Sequence, residues 1–237
     1  MKQNQSLFKW RHFEPTLILL CVRWYCRYQL SYRDLEEIMS ERGLSVDHST
    51  VWRWVQKYAP EINKRIRPHL KMSGTSYCLD ETYVKVGTQW KYLYRAIDST
   101  GQTIEFMLSA KRDVCAAKRF FKKLMRADHR RLPFTIGTDK HASYPEAYAT
   151  SVKEKILPFD CKLRRVKYLN NVIEQDHRAI RRRWRAMQCF RSFHTAERTL
   201  EGIESLNMMR KGQVKRLDRN DAMGQARFVA GLFGAAI

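Results

Sequence analysis

The sequence predicts an α/β protein, a mixed sheet flanked by helices, preceded by an N-terminal helix-turn-helix domain. Three observations predict it. The first sixty or so residues carry capped amphipathic stretches of helical period and no extended runs. Residues 77–109 carry three aromatic- and β-branched-rich runs joined by short turns. Beyond residue 114, helix-length and strand-length apolar stretches alternate, the order expected of a layered α/β domain.

Pro15 suits the first turn of a helix, and Leu17, Leu20, Cys21, Trp24 and Tyr28 recur at three- and four-residue steps behind it. Ser31 is placed to cap a second helix, with Asp34 three residues on and Leu35, Ile38 and Met39 buried. Gly43 supplies a positive-φ stop. After a connection at 44–47, Asp47 caps a third helix reaching about Tyr58. Its Val51, Trp54, Val55 and Tyr58 face inward. Ser49, Trp52, Arg53 and Gln56 form the opposite face, with His48 and Thr50 near the start. Hydroxyl, amide and guanidinium groups there suit base edges in a major groove, and a plain three-helix bundle with a polar outer face remains the alternative. Pro60 and Pro68 bracket a basic linker.

The extended segments are YCLDETYVKV (77–86), QWKYLYRAI (89–97) and QTIEFMLS (102–109), separated by Gly87-Thr88 and Ser99-Thr100-Gly101. They predict an antiparallel meander. A helix from about Val114 to Ala127, a short strand Phe134–Thr138, a helix around Ala142–Thr150, a strand around Cys161–Val166 and a long helix Val172–Arg185 follow. A last helix, about Thr195 to Arg210, carries Leu200, Ile203, Leu206 and Met209 on its apolar side. Packing on the sheet and a subunit contact both fit it.

Charge narrows the partners. The chain has 45 Lys and Arg against 24 Asp and Glu, a formal net charge of +21. Nine basic residues fall in 111–131 and ten in 162–191, including Arg181-Arg182-Arg183 with Trp184 beside them. Clustered positive charge points to a polyanion, and nucleic acid fits best. The six cysteines show neither a CxxC pair nor zinc spacing, which fits reduced thiols and a cytoplasmic protein. The apolar run Leu17–Val22 is far too short to span a bilayer, so no membrane partner is expected.

Three carboxylates stand out. Asp80 lies in the first strand, Asp139 ends the fourth, and Glu174 sits on the long helix. Each has a plainer explanation: a solvent-facing strand residue, a cap for the next helix, and a capping-box partner of Asn171. Convergence of all three in so basic a chain has a reason in divalent cations, since two Mg²⁺ about 4 Å apart hold carboxylates that would otherwise repel. Arg178 and Arg181, four and seven residues after Glu174, share its helical face. Arg181 would sit about 10 Å along the axis, a good place for a phosphate.

The segments DETYVKV (80–86), TDKHASY (138–144) and NNVIEQDH (170–177) resemble the catalytic motifs of bacterial insertion-sequence transposases of the compact DDE type called insertion sequence six. The 34 residues between Asp139 and Glu174, and the basic residue seven after the glutamate, fit as well. RWYCRYQLSYRDLEE (23–37), DHSTVWRWVQKYAPE (47–61) and GIESLNMMRKGQ (202–213) are similar too, so the resemblance covers almost the whole chain.

The resemblance implies a helix-turn-helix DNA-binding domain over 1–62, a linker over 63–75, an RNase H-like catalytic domain over 76–190 and a C-terminal helical extension over 191–237. It implies Asp80, Asp139 and Glu174 as catalytic ligands of two Mg²⁺, with Mn²⁺ as a substitute. Arg178, Arg181, Arg185, His48, Ser49, Trp52, Arg53 and Gln56 are the expected DNA contacts. The expected partner is double-stranded DNA, element ends and target alike, bound by a homodimer at the nucleoid, with replicative, cointegrate-type transposition as the outcome. A regulator that binds DNA without catalysis, and a nuclease that cuts without joining, are the competing readings.

Overall fold

The structure is a computed structural model that describes residues 7–8, 12–139, 141–165, 171–185, 187 and 190–235, without the side chains of Asn171 and Arg185. Val166, Asn170, Lys140 and Cys189 therefore lie outside the described residues. Two compact units emerge, one of residues 1–69 with 180–237 and one of residues 70–179. This division departs from the sequence reading, which set the C-terminal residues apart as an extension and made 63–75 a linker.

In the first unit, helix α1 (Pro15–Arg27) opens with proline in its first turn, where the missing N–H costs nothing. Its buried face is not the expected one. Ile18, Leu19, Cys21, Val22, Tyr25 and Cys26 are buried, whereas Tyr28 is exposed. Several helices pack on α1, so the covered arc is wider than a single stripe and rotated from it. Helix α2 (Tyr32–Ser40) starts with a full capping box. Ser31 Oγ accepts from the Asp34 amide at 3.1 Å, and the Asp34 carboxylate accepts from the Ser31 amide at 2.7 Å. Gly43 takes φ 73°, as a helix stop needs. Helix α3 (His48–Ile66) is capped by Asp47, whose carboxylate accepts from the Ser49 amide at 2.7 Å.

The second unit is built on a five-stranded sheet ordered β3-β2-β1-β4-β5. Strands β1 (Ser76–Val86), β2 (Gln89–Asp98) and β3 (Thr103–Ser109) form the expected antiparallel meander. Gly87, at φ 58°, sits in the two-residue turn between the first two. The second turn is held by Asp98, whose carboxylate accepts from the Thr100, Gln102 and Gly74 amides at 2.8–3.0 Å. Helix α4 (Val114–Leu124) then carries the chain back, so β4 (Thr135–Thr138) adds parallel to β1. Helix α5 (Ser143–Lys153) makes a second crossover to β5 (Lys162–Arg165), parallel to β4. This order and polarity is the mixed sheet expected from the sequence, of the RNase H-like kind that the resemblance implied.

Tyr77, Leu79, Tyr94, Ala96 and Ile104 face Phe120, Phe121 and Leu124 of α4 and Tyr144 and Ala147 of α5 to form the core. Burying each phenylalanine contributes roughly 2–3 kcal/mol. Helix α6 (Asn171–Arg185) serves the other side of β1 and β2: Arg95, fully buried on β2, lies 2.5 Å from Asp176 of α6.

The first unit also contains α7 (Phe193–Arg210) and α8 (Ala222–Leu232); the latter was not anticipated. Helix α7 packs along α3. At the closest approach, Gly202 leaves so little room that a Cβ there would lie 2.7 Å from Ala59 Cβ and Cys26 Sγ. This packing also explains why α3 overruns its expected end. Pro60 lies inside it and has no N–H for the carbonyl of Gln56 one turn back. Arg198 of α7 donates Nη1 to that carbonyl at 3.1 Å, so a break that proline would ordinarily impose is bridged. The expected linker is thus partly helix.

Arg183 is a further departure. It is 3% exposed, donates Nε to the Tyr25 carbonyl and Nη2 to the Leu30 carbonyl at 3.1 Å, and lies over the Tyr25 ring. One cation of the apparent basic run therefore closes the C-terminal end of α1 instead of meeting a ligand. The described cysteines, Cys21, Cys26, Cys78, Cys115 and Cys161, are free thiols. Among the described residues no helix is long and apolar enough to cross a membrane.

Candidate active site

The sheet register brings the first two acidic residues together. Cys78 of β1 pairs with Gly137 of β4. Asp80 and Asp139 each lie two residues beyond that pair, Asp80 in the middle of β1 and Asp139 just past the C-terminal end of β4, on neighbouring parallel strands. Strand alternation sends consecutive residues to opposite faces. Leu79 and Glu81 turn to the side packed by α4 and α5, and Asp80 turns to the side of α6.

Asp80 is the common member of two groups of potential ligands. One donor atom from each of Asp80, Glu81 and Asp139 lies within 4.8 Å of the other two. The same holds for Asp80, Glu174 and His177. The structure therefore brings Asp139 and Glu174 each beside Asp80. The plainer explanations of two residues fall away. Asp80 is 6% exposed, so it does not face solvent. Helix α5 begins after Ala142, and Asp139 Oδ1 instead accepts from the His141 amide at 2.9 Å. The capping-box alternative for Glu174 rests on the side chain of Asn171, outside the described residues.

Around these carboxylates runs a polar frame that the sequence reading passed over. Arg112 Nη2 donates to Glu81 Oε2 at 2.8 Å and to Asp139 Oδ2 at 2.7 Å, and Tyr144 donates its hydroxyl to Glu81 Oε1 at 2.6 Å. His177 is fully buried, with Nδ1 3.6 Å from Asp80 Oδ2. Arg95 sits opposite Asp80 in the β1–β2 register and holds Asp176, between Glu174 and His177, so the ion pair fixes α6 against the sheet.

Each of the missed residues had a signal. Glu81 and Tyr144 stand inside the motifs DETYVKV and TDKHASY, and His177 is one helical turn after Glu174. Arg112 was counted among the basic cluster without a role.

Electrostatics mark the site as crowded with buried negative charge. Burial pushes the Asp80 carboxyl from its ordinary 3.8 up to about 7, and the neighbouring Glu81, Asp139 and Glu174 add to the effect. Glu81 is raised as well, chiefly by burial, although Tyr144 and Arg112 pull the other way. For Arg112, burial opposes the charge, but Glu81 and Asp139 outweigh it and make the guanidinium more basic than usual.

The expected DNA contacts are dispersed. Trp52 and Arg53 are exposed on α3. His48 lies 2.9 Å from Glu36, and the Ser49 hydroxyl bonds Asp47. Gln56 does not belong to that outer face: it is buried and donates Nε2 to Thr199 Oγ1 of α7 at 2.9 Å. The alternation that put it outside ignored the partner helix. On α6, Arg178 is exposed and Arg181 half-buried, whereas the side chain of Arg185 lies outside the described residues.

A DDE domain family matches residues 74–213. The transposase for insertion sequence-like element IS431mec of Staphylococcus aureus is 42% identical over 206 residues, covering 87% of this chain and 89% of the relative. The transposase for insertion sequence element IS257 in transposon Tn4003, also from Staphylococcus aureus, is 41% identical over the same shares. Among solved structures, the HTLV-2 integrase catalytic core domain in complex with magnesium (dimeric form) matches with a TM-score of 0.44 and 12% identity, covering 62% of this chain and 99% of that one.

Proposed function

The chain belongs to the DDE transposase family, of the insertion sequence six type, and on that footing we propose that it binds the terminal inverted repeats of its element and catalyses metal-dependent strand cleavage and strand transfer. The observation that carries the reading is the position of Asp80, within ligand distance of Asp139 on one side and Glu174 on the other.

The residues fit a pair of hard divalent cations. Asp80, Asp139 and Glu174 offer carboxylate oxygens, the donor type Mg²⁺ prefers. Asp80 is held at about 7 by burial and by its acidic neighbours, a strain that a cation relieves. Asp80 and Asp139 would hold one ion, and Asp80 and Glu174 the second, with Mn²⁺ able to replace Mg²⁺. When bound, the ions supply an activated oxygen nucleophile and stabilise the leaving oxygen of an in-line phosphoryl transfer.

The protein's own contribution is placement. Arg112 fixes Asp139 by donating to it, while its second bond ties it to Glu81 on the next strand. Arg95 and Asp176 fix the turn of α6 that carries Glu174. Arg178 and Arg181 project from the same helix after Glu174 and would hold phosphates along the bound strand, with Arg185 continuing the row. In the first step water attacks the phosphodiester at the element end and frees a 3′-hydroxyl. In the second that hydroxyl attacks a target phosphodiester, so no covalent bond to the protein forms.

Recognition of the ends falls to the N-terminal helix-turn-helix, with Trp52 and Arg53 on the open face of α3 and His48 and Ser49 at its start. Two ends require two subunits, hence a homodimer, acting on nucleoid DNA in the cytoplasm. Cointegrate formation by replicative transposition is the outcome proposed for the element.

The test is incubation with element-end DNA, a target plasmid and Mg²⁺. Joined product is expected, and Asp80→Asn, Asp139→Asn and Glu174→Gln should each abolish joining while retaining end binding. Nicking without joining would make the protein a nuclease, and binding without either a regulator. Full joining by any one variant would remove that residue from the site.

A further inference from the structure

The two ligand groups around Asp80 differ in chemistry. The group with Asp139 and Glu81 is all oxygen, whereas the group with Glu174 contains the imidazole of His177. From this asymmetry we infer that His177 is a protein ligand of the ion on the Glu174 side, through Nδ1, and that this position takes Mn²⁺ in preference to Mg²⁺. The inference rests on the two-ion reading above and extends it.

The geometry suits coordination better than a hydrogen bond. At 3.6 Å, Nδ1 of His177 and Oδ2 of Asp80 are too far apart for a hydrogen bond. Neighbouring ligands on a six-coordinate ion with bonds of about 2.1 Å stand roughly 3 Å apart, and opposite ones roughly 4.2 Å. The 3.6 Å separation lies between these, and all three donors fall within 4.8 Å of one another. Glu174 and His177 are three residues apart on α6, so one helical face carries both. That face is clamped from both ends of its turn. Ile173 is buried before it, and Asp176 is bound to the fully buried Arg95 of β2 beneath it. His177 itself has no exposure, so it cannot serve as a surface residue facing DNA.

An imidazole changes which cation the position favours. Mg²⁺ binds oxygen almost exclusively, whereas nitrogen donors raise affinity for first-row transition metals. A site of two carboxylates and one imidazole is therefore biased toward Mn²⁺, while the neighbouring all-oxygen site keeps no such bias. Coordination through Nδ1 leaves the ring proton on Nε2.

Pulsed electron paramagnetic resonance on the full-length protein, loaded with Mn²⁺ in the presence of a short DNA duplex, reads this directly. Nitrogen coupling to Mn²⁺ is expected, and it should change from ¹⁴N to ¹⁵N when the protein is labelled with ¹⁵N-histidine. In His177→Gln the coupling should vanish, and the preference for Mn²⁺ over Mg²⁺ in competition should fall about tenfold or more. Absence of histidine coupling in the wild-type protein, or its persistence in His177→Gln, would overturn the inference. If that variant fails to fold, His48→Gln tests the assignment instead: the coupling should persist in it, and its loss would overturn the inference, since His48 belongs to the other histidine-containing ligand group. Counting bound Mn²⁺ in the same samples separates the two levels: two ions without histidine coupling sinks only the role of His177, and fewer than two sinks the two-ion reading with it.

Discussion

Asp80→Asn removes one negative charge from a buried cluster without changing its shape, and the consequence for stability can be worked out. Asp80 is 6% exposed, and burial, reinforced by Glu81, Asp139 and Glu174, raises its pKa from 3.8 to about 7 in the metal-free protein. Below about pH 4 both folded and unfolded chains carry the proton, and aspartic acid and asparagine behave alike. Between about pH 4 and 7 the folded chain holds a proton that the unfolded chain has released, so stability falls as pH rises. Above about pH 7 the loss is complete. At about 1.4 kcal/mol per pH unit, the interval amounts to roughly 4 kcal/mol.

In the presence of EDTA, Asp80→Asn should therefore match the wild type near pH 4 and exceed it by about 2–4 kcal/mol near pH 8. Urea unfolding followed by tryptophan fluorescence measures the difference, and residues other than Asp80 largely cancel in the comparison. Saturating Mg²⁺ should reverse the order, since only the wild type gains binding energy in the folded state. A gap between the two proteins that does not change with pH would refute the reasoning, because it would mean that folding does not raise the Asp80 carboxyl through burial and its acidic neighbours.

Other outcomes follow from single contacts. Gly202→Ala should destabilise the protein by about 1–3 kcal/mol in denaturant unfolding, since the new methyl meets Ala59 Cβ and Cys26 Sγ at 2.7 Å and the α3–α7 contact must open. Arg112→Ala leaves buried Glu81 without its cation and Asp139 without its donor. A loss of about 3 kcal/mol is expected at neutral pH, together with weaker metal binding by calorimetry. Arg53→Ala should weaken binding to element-end DNA in fluorescence anisotropy and reduce its salt dependence by about one counterion. Gln56→Ala should leave that binding unchanged and cost about 1–2 kcal/mol of stability through the lost bond to Thr199.

Local chemistry made much of this molecule readable from its sequence. The Ser31–Asp34 capping box, the Asp47 cap, the positive φ of Gly43 and the Gly87 turn each depend on residues a few positions apart, and all appear in the structure. The meander and the strand–helix alternation were likewise legible from periodicity. What escaped depends on partners distant in the chain. Pro60 reads as a helix end until Arg198 supplies a donor for the Gln56 carbonyl. Arg183 reads as free positive charge until the α1 carbonyls are seen to hold it. The buried arc of α1 and the inward turn of Gln56 are set by α7, whose packing site its own sequence left undecided.

At the site, the three acidic residues were singled out by their places on the expected strands and long helix, and by the resemblance of the motifs that hold them. Their frame was not. Alternation predicts that Glu81 points away from Asp80, and the bond of Arg112 to both Glu81 and Asp139 shows how the two faces join beyond the end of β4. His177 follows Glu174 by one turn, yet its relevance depends on the sheet bringing Asp80 beneath it.

The central claim is that Asp80 is shared between two cation positions. Anomalous diffraction from crystals of the protein soaked in Mn²⁺ tests it most directly. Two peaks are expected, one bound by Asp80 and Asp139 and the other by Asp80 and Glu174, with the Asp80 carboxylate common to both. A single peak away from Asp80, or none at saturating Mn²⁺, would contradict the account.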